Sequence, residues 1–204
     1  RKVLSFDMGG TTAKICLIRD FEPMKARTFE VDRASRFLKG SGLPVRIPVI
    51  EMVEIGAGGG SIARVDALRR ITVGPDSAAS APGPACYGRG GTEATVTDGD
   101  VVLGRIDVAG FAGGRLALTP ENAFTAVAAS VGKPLGLTVE AAAHGISEIV
   151  DENMSNAARV HAVERGVVIG EHTMIAFGGA APLHAARMAE KLGIGRIIVP
   201  EDAG

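Results

Sequence analysis

Two short apolar runs near the start of the chain, Val3 to Phe6 and Ala13 to Ile18, are separated by Asp7-Met8-Gly9-Gly10-Thr11-Thr12. Neither run is long enough for a helix, and the second has a β-like composition, so the segment reads as strand, glycine turn, strand. The run Thr28-Phe29-Glu30-Val31 is expected to close a three-stranded meander, after which Ser41-Gly42-Leu43-Pro44 breaks the pattern. A Walker loop or a dinucleotide fingerprint runs from a strand into a helix with wider glycine spacing, and neither context is met.

The texture then changes. From about Val45 to Leu118 come short β-prone pieces cut by GAGGGS, GPDSAASAPGPACYGRGG and AGFAGG, with almost no helical periodicity. This stretch reads as an inserted, loop-rich β subdomain over about 33–118, carried by a core of 1–32 and 119–204. Helical pattern returns at Thr119-Pro120, a good N-cap followed by a good first helical residue, with Gly132 as the stop. A longer helix is expected from Thr138 to Glu164, its apolar face made by Ile146, Ile149, Val150, Met154 and Ala157. The last unit is a strand over Thr173 to Phe177, a helix from Pro182 to Leu192 stopped by Gly193, and a strand over Arg196 to Pro200. Such a unit implies a parallel pair joined by a right-handed crossover.

Composition limits the partners. The formal net charge is −1, which removes the electrostatic case for a nucleic-acid or membrane surface. No apolar run approaches the roughly 18 residues of a membrane span, and the first residues lack a signal-peptide pattern, so a cytoplasmic protein is expected. The 28 glycines fall in clusters, which marks tight turns rather than disorder. Of the two cysteines, Cys16 lies in an apolar run and reads as a small buried residue, while Cys86 lies in a more open loop.

Four stretches carry candidate chemistry. Gly9 and Gly10 leave no Cβ to block an approach, so successive N–H groups can converge on a phosphate oxygen, with the hydroxyls of Thr11 and Thr12 as further donors. Asp7 would then hold Mg²⁺ or orient a water; the alternative is a plain hairpin with a buried acid. In Phe177-Gly178-Gly179-Ala180-Ala181-Pro182, the helix start has an alanine as its cap, so its N–H groups await a partner, either a nucleotide or solvent. His184 lies in the first turn of that helix, as a catalyst or a packed structural residue. Gly58-Gly59-Gly60-Ser61, preceded by Glu51 and Glu54, forms either a substrate or anion loop with Glu54 as base, or a hinge. Asp98 and Asp100 in Thr97-Asp98-Gly99-Asp100 lack the ligand count of a calcium loop, and Asp100 is expected in a solvated turn. His144, His161 and His172 are too scattered for a zinc site.

The blocks FDMGGTTAK, EIGAGGGSIARVD, VGPDSAASAPGPACYGRGGTEATVTDGDVVLGRI and FGGAAPLHAARMAEKLGI, in that order, resemble the hydantoinase A and 5-oxoprolinase family. The resemblance implies an α/β fold: a ribonuclease H-like half-domain of the actin and sugar-kinase type, with a mixed sheet and flanking helices. It implies ATP and Mg²⁺ as cofactors and ring opening of a small-molecule cyclic amide, a hydantoin or 5-oxoproline, coupled to ATP cleavage. Relatives are also subunits of ATP-dependent ketone carboxylases, and a non-catalytic assembly module is a further alternative. On this basis Asp7, Glu54 and His184 are the catalytic candidates, with Asp7 also on the metal. Gly9, Gly10, Thr11, Thr12, Gly178, Gly179 and Ala180 are the nucleotide contacts, and Gly58 to Ser61 the substrate or anion loop. The first half of the nucleotide clamp is expected upstream of Arg1, and a second, hydantoinase B-like subunit as a partner; the chain alone is expected not to turn over. Lys14 departs from the family, standing where many relatives carry an acid, and Gly99 replaces a usual alanine.

Overall fold

The computed structural model of the chain describes residues 1–32 and 40–204. The opening hairpin forms as the sequence predicts: β1 (Lys2–Met8) and β2 (Ala13–Arg19) pair antiparallel, with Met8 opposite Ala13. Alternate residues of a strand share a face, so Leu4, Phe6 and Met8 join Ala13, Ile15 and Leu17 in the core.

The third strand is not the expected one. β3 (Glu22–Pro23) folds back briefly on β2 through Asp20 and Phe21, both at positive φ. β4 (Lys25–Ala26) then leaves the sheet, β5 (Phe29–Val31) pairs with β6 (Leu43–Val45), and β7 (Val49–Ile50) pairs with β4. The run Thr28 to Val31 therefore does not close the meander. β8 (Met52–Ile55) does so, with Ile55 opposite Ala13. It brings Val53 and Ile55, two residues apart, onto the core, which is the spacing that a strand with one buried face requires.

The expected start of an insertion at residue 33 lies outside the described residues. Beyond β8 the chain contributes residues to the same core. Ile55, Ala57, Ala63, Val73, Ala94 and Val96 belong to one apolar cluster with Phe6, Ile146 and Met188. After the hairpin of β9 (Ser61–Val65) and β10 (Ile71–Ser77) comes a helix that periodicity did not reveal, α1 (Val96–Val102). Its seven residues are too few to show a period, but Thr95-x-x-Asp98 is a capping box: each side chain bonds the other's backbone N–H. Asp98, fully buried, also accepts the N–H groups of Ala85 (3.2 Å) and Cys86 (2.8 Å) and the Thr95 hydroxyl (2.8 Å).

α2 (Pro120–Val127) begins at Pro120 as expected, although the Thr119 side chain makes no capping bond. The helix does not stop at Gly132. It widens into a π turn over Ala128–Gly132 and continues as α3 (Lys133–Leu135), and Gly136, at φ 69°, is the left-handed cap. α4 (Val139–Glu164) matches the predicted long helix, with the Thr138 hydroxyl accepting the Ala141 N–H. Then follow β11 (Thr173–Phe177), α5 (Ala181–Leu192) with Gly193 as its left-handed cap, and β12 (Ile197–Ile198).

The six-stranded sheet runs β12-β11-β1-β2, with β3 and β8 both paired to β2. β11 is parallel to β1 and to β12, so the fold is a mixed α/β sheet whose core face is covered by α4 and α5. No helix among the described residues is long and apolar enough to cross a membrane.

Asp98 is the polar pin of this arrangement. Asp98→Ala would strand buried donors on three residues, and a loss of at least ~3 kcal/mol is expected in denaturant unfolding. Asp98→Asn, which keeps an acceptor, should lose less; equal stability of the alanine variant and the parent chain would refute the pin.

Candidate functional site

Parallel pairing of β1 with β11 sets Asp7 opposite Phe177, so the turns that follow the two strands emerge side by side. They are bonded directly by the Ala180 N–H, which donates to the Met8 carbonyl at 3.0 Å, while the Gly178 N–H donates to the Ala203 carbonyl of the C-terminal segment. Gly178 has φ 90°, and a Cβ there would lie 2.7 Å from the Met8 carbonyl oxygen and strike the Asp7 carboxylate. Only glycine allows this approach.

The Gly9-Gly10 turn is closed by the Gly9 N–H to the Thr12 carbonyl, 3.1 Å, and is supported from behind by the glycine triplet. Gly59 and Gly60 donate their N–H groups to the carbonyls of Gly9 (3.0 Å) and Gly10 (2.7 Å). In a trans peptide the carbonyl and the next N–H point in opposite directions. The N–H groups of Gly10 and Thr11 are therefore aimed away from the triplet, and neither has a backbone acceptor among the described residues.

The triplet, expected as a substrate or anion loop or as a hinge, has its N–H groups engaged within the protein. All four residues, Gly58 to Ser61, are buried. The Gly58 N–H donates to Ser61 Oγ and the Ser61 N–H to the Gly58 carbonyl, both at 2.9 Å. With Gly59 and Gly60 also committed, no N–H of the loop is left for an anion; the loop is a buttress. A Cβ on Gly58 would stand 2.5 Å from the Thr11 nitrogen, which explains the glycine. The N–H and hydroxyl of Thr97 both donate to the Gly59 carbonyl and tie α1 to the same support.

Between the two turns lies a cleft of about 520 Å³, a size typical of small-molecule sites. Gly9, Gly10, Gly59, Gly179 and Ala180 line it, with Thr97, Asp100 and Arg105 on the side of α1 and Tyr87, Phe111 and Leu183 as apolar wall. Asp7, Thr11, Thr12, Gly178, Glu54 and His184 are not among its lining residues.

Asp7 and Glu54 stand in a cross-strand row with Lys14 between them, Asp7 opposite Lys14 and Lys14 opposite Glu54. Lys14 Nζ lies 3.9 Å from Asp7, 3.8 Å from Glu54 and 3.4 Å from Thr12 Oγ1. These partly exposed pairs are weak. Glu54 therefore faces a lysine rather than the cleft, and Glu51 is turned to an ion pair with Arg165.

His184 is fully buried. Its Nδ1 lies 2.8 Å from Asp151 and its Nε2 3.2 Å from Asp100. Arg105 Nη1 donates to the other oxygen of Asp100 (3.0 Å) and to Ser147 Oγ (2.7 Å), and Ser147 donates to Asp151 (3.4 Å). Burial on its own would lower the pKa of the imidazole, but hydrogen bonds and charge from Asp100 and Asp151 together raise it to about 9. Two carboxylates thus balance an imidazolium and a guanidinium, joining α1, α4 and α5. His184 is held between two carboxylates, the packed alternative offered by the sequence, and Asp100 is buried rather than in the expected solvated turn. A buried charge persists only when it is paired and hydrogen-bonded, and sequence spacing does not show that Asp100, Asp151 and His184 converge.

Cys86 is also buried, against the expected open loop, and burial with the Asp98 charge pushes its thiol strongly up, which silences it as a nucleophile. Cys16 is half-buried, and both thiols are free. No group of three or more potential metal ligands occurs among the described residues.

The His184 clamp is legible in pH. Its folded pKa is raised, so its stabilisation is complete below the unfolded value near 6.5 and is lost as pH rises through about 9. Chemical unfolding across that window should show a decline on the order of 3 kcal/mol. His184→Gln should be less stable at pH 6.5 and should flatten the decline; an unchanged slope would remove the clamp as its cause.

The whole chain, residues 1–204, matches the family model described as hydantoinase/oxoprolinase. It is 37% identical to caprolactamase subunit alpha of Pseudomonas jessenii, over 98% of this chain and 28% of that protein. Identity with the acetophenone carboxylase gamma subunit of Aromatoleum aromaticum is 40%, over 91% of this chain and 24% of the relative. The nucleotide-free structure of acetone carboxylase, an enzyme of ATP-dependent acetone carboxylation, superposes with a TM-score of 0.87 at 30% identity, covering 99% of this chain and 27% of that one. The chain spans less than a third of the length of these relatives. On a match that runs from end to end, the chain belongs to the hydantoinase/oxoprolinase family.

Proposed function

We propose that this chain is the nucleotide-binding half of an ATP-dependent enzyme that opens cyclic amides, with the opposing half supplied by the longer polypeptide. The observation that carries this reading is the meeting of the two glycine turns on one cleft wall, through Gly9, Gly10, Gly179 and Ala180. The order of the sheet, three antiparallel neighbours followed by two parallel strands joined through α5, supports a ribonuclease H-like half of the actin and sugar-kinase type.

The wall fits a nucleotide. Gly10 and Thr11 offer N–H groups that the protein leaves open, and the Ala180 cap of α5 brings no side-chain acceptor to the helix start. An anion there also gains from the helix dipole. ATP, when bound, supplies a phosphoryl group that makes the oxygen of a stable amide into a leaving group. The chain's own part is to bind and orient: the turn N–H groups on the cleft wall would take phosphate oxygens, and Asp7 with the Thr11 and Thr12 hydroxyls, which stand beside the cleft rather than in its lining, would hold Mg²⁺ and the phosphates next to it. One carboxylate beside phosphates is a usual magnesium environment, and it does not require a cluster of acids. Lys14, 3.9 Å from Asp7, would compete with the ion for that carboxylate.

A second reading, a subunit of an ATP-dependent ketone carboxylase, is favoured by the likeness to acetone and acetophenone carboxylases. It uses the same nucleotide wall and differs in the acceptor.

Calorimetry with Mg-ATP tests the shared part. Binding is expected when the chain is joined to the preceding portion of a full-length polypeptide, and Asp7→Ala should weaken it at least about tenfold. Absence of binding in the joined form would end the nucleotide reading; wild-type affinity in Asp7→Ala would remove Asp7 from the metal. Amide hydrolysis separates the two acceptors, and turnover by the 204-residue chain alone would contradict the half-clamp.

A further inference from the structure

We infer that Arg105 is a phosphate-binding residue of the cleft, and that the buried Asp100–His184–Asp151 group exists to hold its guanidinium in place. The inference rests on the nucleotide reading above and adds a protein side-chain cation to the backbone dipoles and the Mg²⁺ of that reading.

Among the described residues, Arg105 is the one lysine, arginine or histidine that lines the cleft. Glycine N–H groups alone provide dipoles but no formal charge, whereas a di- or triphosphate carries several negative charges. The guanidinium has five N–H donors in a fixed fork. Both recorded bonds leave from Nη1, to Asp100 and Ser147, so they occupy one corner of the fork. The Nε–Nη2 edge has no acceptor among the described residues, and the side chain keeps 31% of its exposure. That edge is the pair of parallel donors with which arginine grips two oxygens of a phosphate.

The support explains why the edge is left open. Asp100 is only 2% exposed and meets His184 with one oxygen and Arg105 with the other. His184 is held in turn by Asp151, and Ser147 closes the ring between Asp151 and Arg105. The guanidinium is held through one nitrogen by a buried acid and a hydroxyl, so an anion reaching its other edge would not have to displace an exposed acid from it. Asp107, the other acid of the wall, has its carboxylate turned to the Ala109 N–H at 3.1 Å. Arg105 is thus pre-ordered by buried partners, and an anion gains its full fork at little ordering cost.

The test compares adenosine with ADP, in whichever form of the protein binds Mg-ATP. Arg105→Gln keeps a donor toward Asp100 but removes the charge and the fork; Arg105→Lys keeps the charge and removes the fork. For Arg105→Gln, ADP affinity should fall about tenfold or more, while adenosine affinity stays within about twofold of the parent; Arg105→Lys should fall between. Circular dichroism and unfolding curves check that both variants are folded. An unchanged ADP affinity in folded variants, or an equal fall for adenosine and ADP in both, overturns the inference while leaving the nucleotide reading intact. If the parent protein binds neither ligand in any form, the nucleotide reading fails and the inference with it.

Discussion

The bond from the Ala180 N–H to the Met8 carbonyl joins the two ends of the chain at the point where the cleft forms. The partners lie 172 positions apart in sequence (180 − 8), so the contact forms only once distant parts of the chain have come together. The register is set by parallel pairing of β1 and β11, and the final approach is possible because Gly178 has no side chain and tolerates φ 90°. A methyl group at this position would press on the Met8 carbonyl and the Asp7 carboxylate together. The cleft is thus a consequence of how two adjacent strands end.

A second layer of organisation is electrostatic. Taking two carboxylates and two cations out of water costs several kcal/mol per ion, and mutual attraction offsets this only with full hydrogen bonding. Here the ring from Arg105 through Asp100, His184, Asp151 and Ser147 gives every member at least one partner. Buried ion pairs seldom add stability over well-packed hydrophobic residues, so the ring is not explained by stability alone. What the ring adds is a defined orientation for the side chains at its edge.

Much of the backbone was legible in the sequence because local rules suffice for it. The opening hairpin, the long helix after Thr138 and the β11-α5-β12 unit follow from period, caps and glycine stops. The third strand was not, because Thr28 to Val31 and β8 are equally strand-like, and the choice between them depends on which pair of apolar residues reaches the core. Gly132 misled because the Lys133 N–H reaches back to the Ala128 carbonyl, so the helix widens and passes through the glycine, and the left-handed stop falls at Gly136 instead. Of the site, the two glycine turns were visible as motifs, whereas the roles of Asp98, Asp100 and His184 depend on burial. The Thr95-x-x-Asp98 spacing was the one local signal that pointed to a helix there.

The glycine triplet behind the Gly9-Gly10 turn has a thermodynamic meaning of its own. Since Gly59 and Gly60 saturate the carbonyl edge of the turn, its negative edge is compensated inside the protein and its positive edge is left outward. The turn is polarised by folding alone, without a charged side chain. Its conformational entropy has already been surrendered when the core closes around residues 58–61, so an incoming anion meets dipoles that need no reorganisation. Loosening the triplet would leave the composition of the cleft unchanged and would still weaken it, because the ligand would then have to order the backbone that receives it.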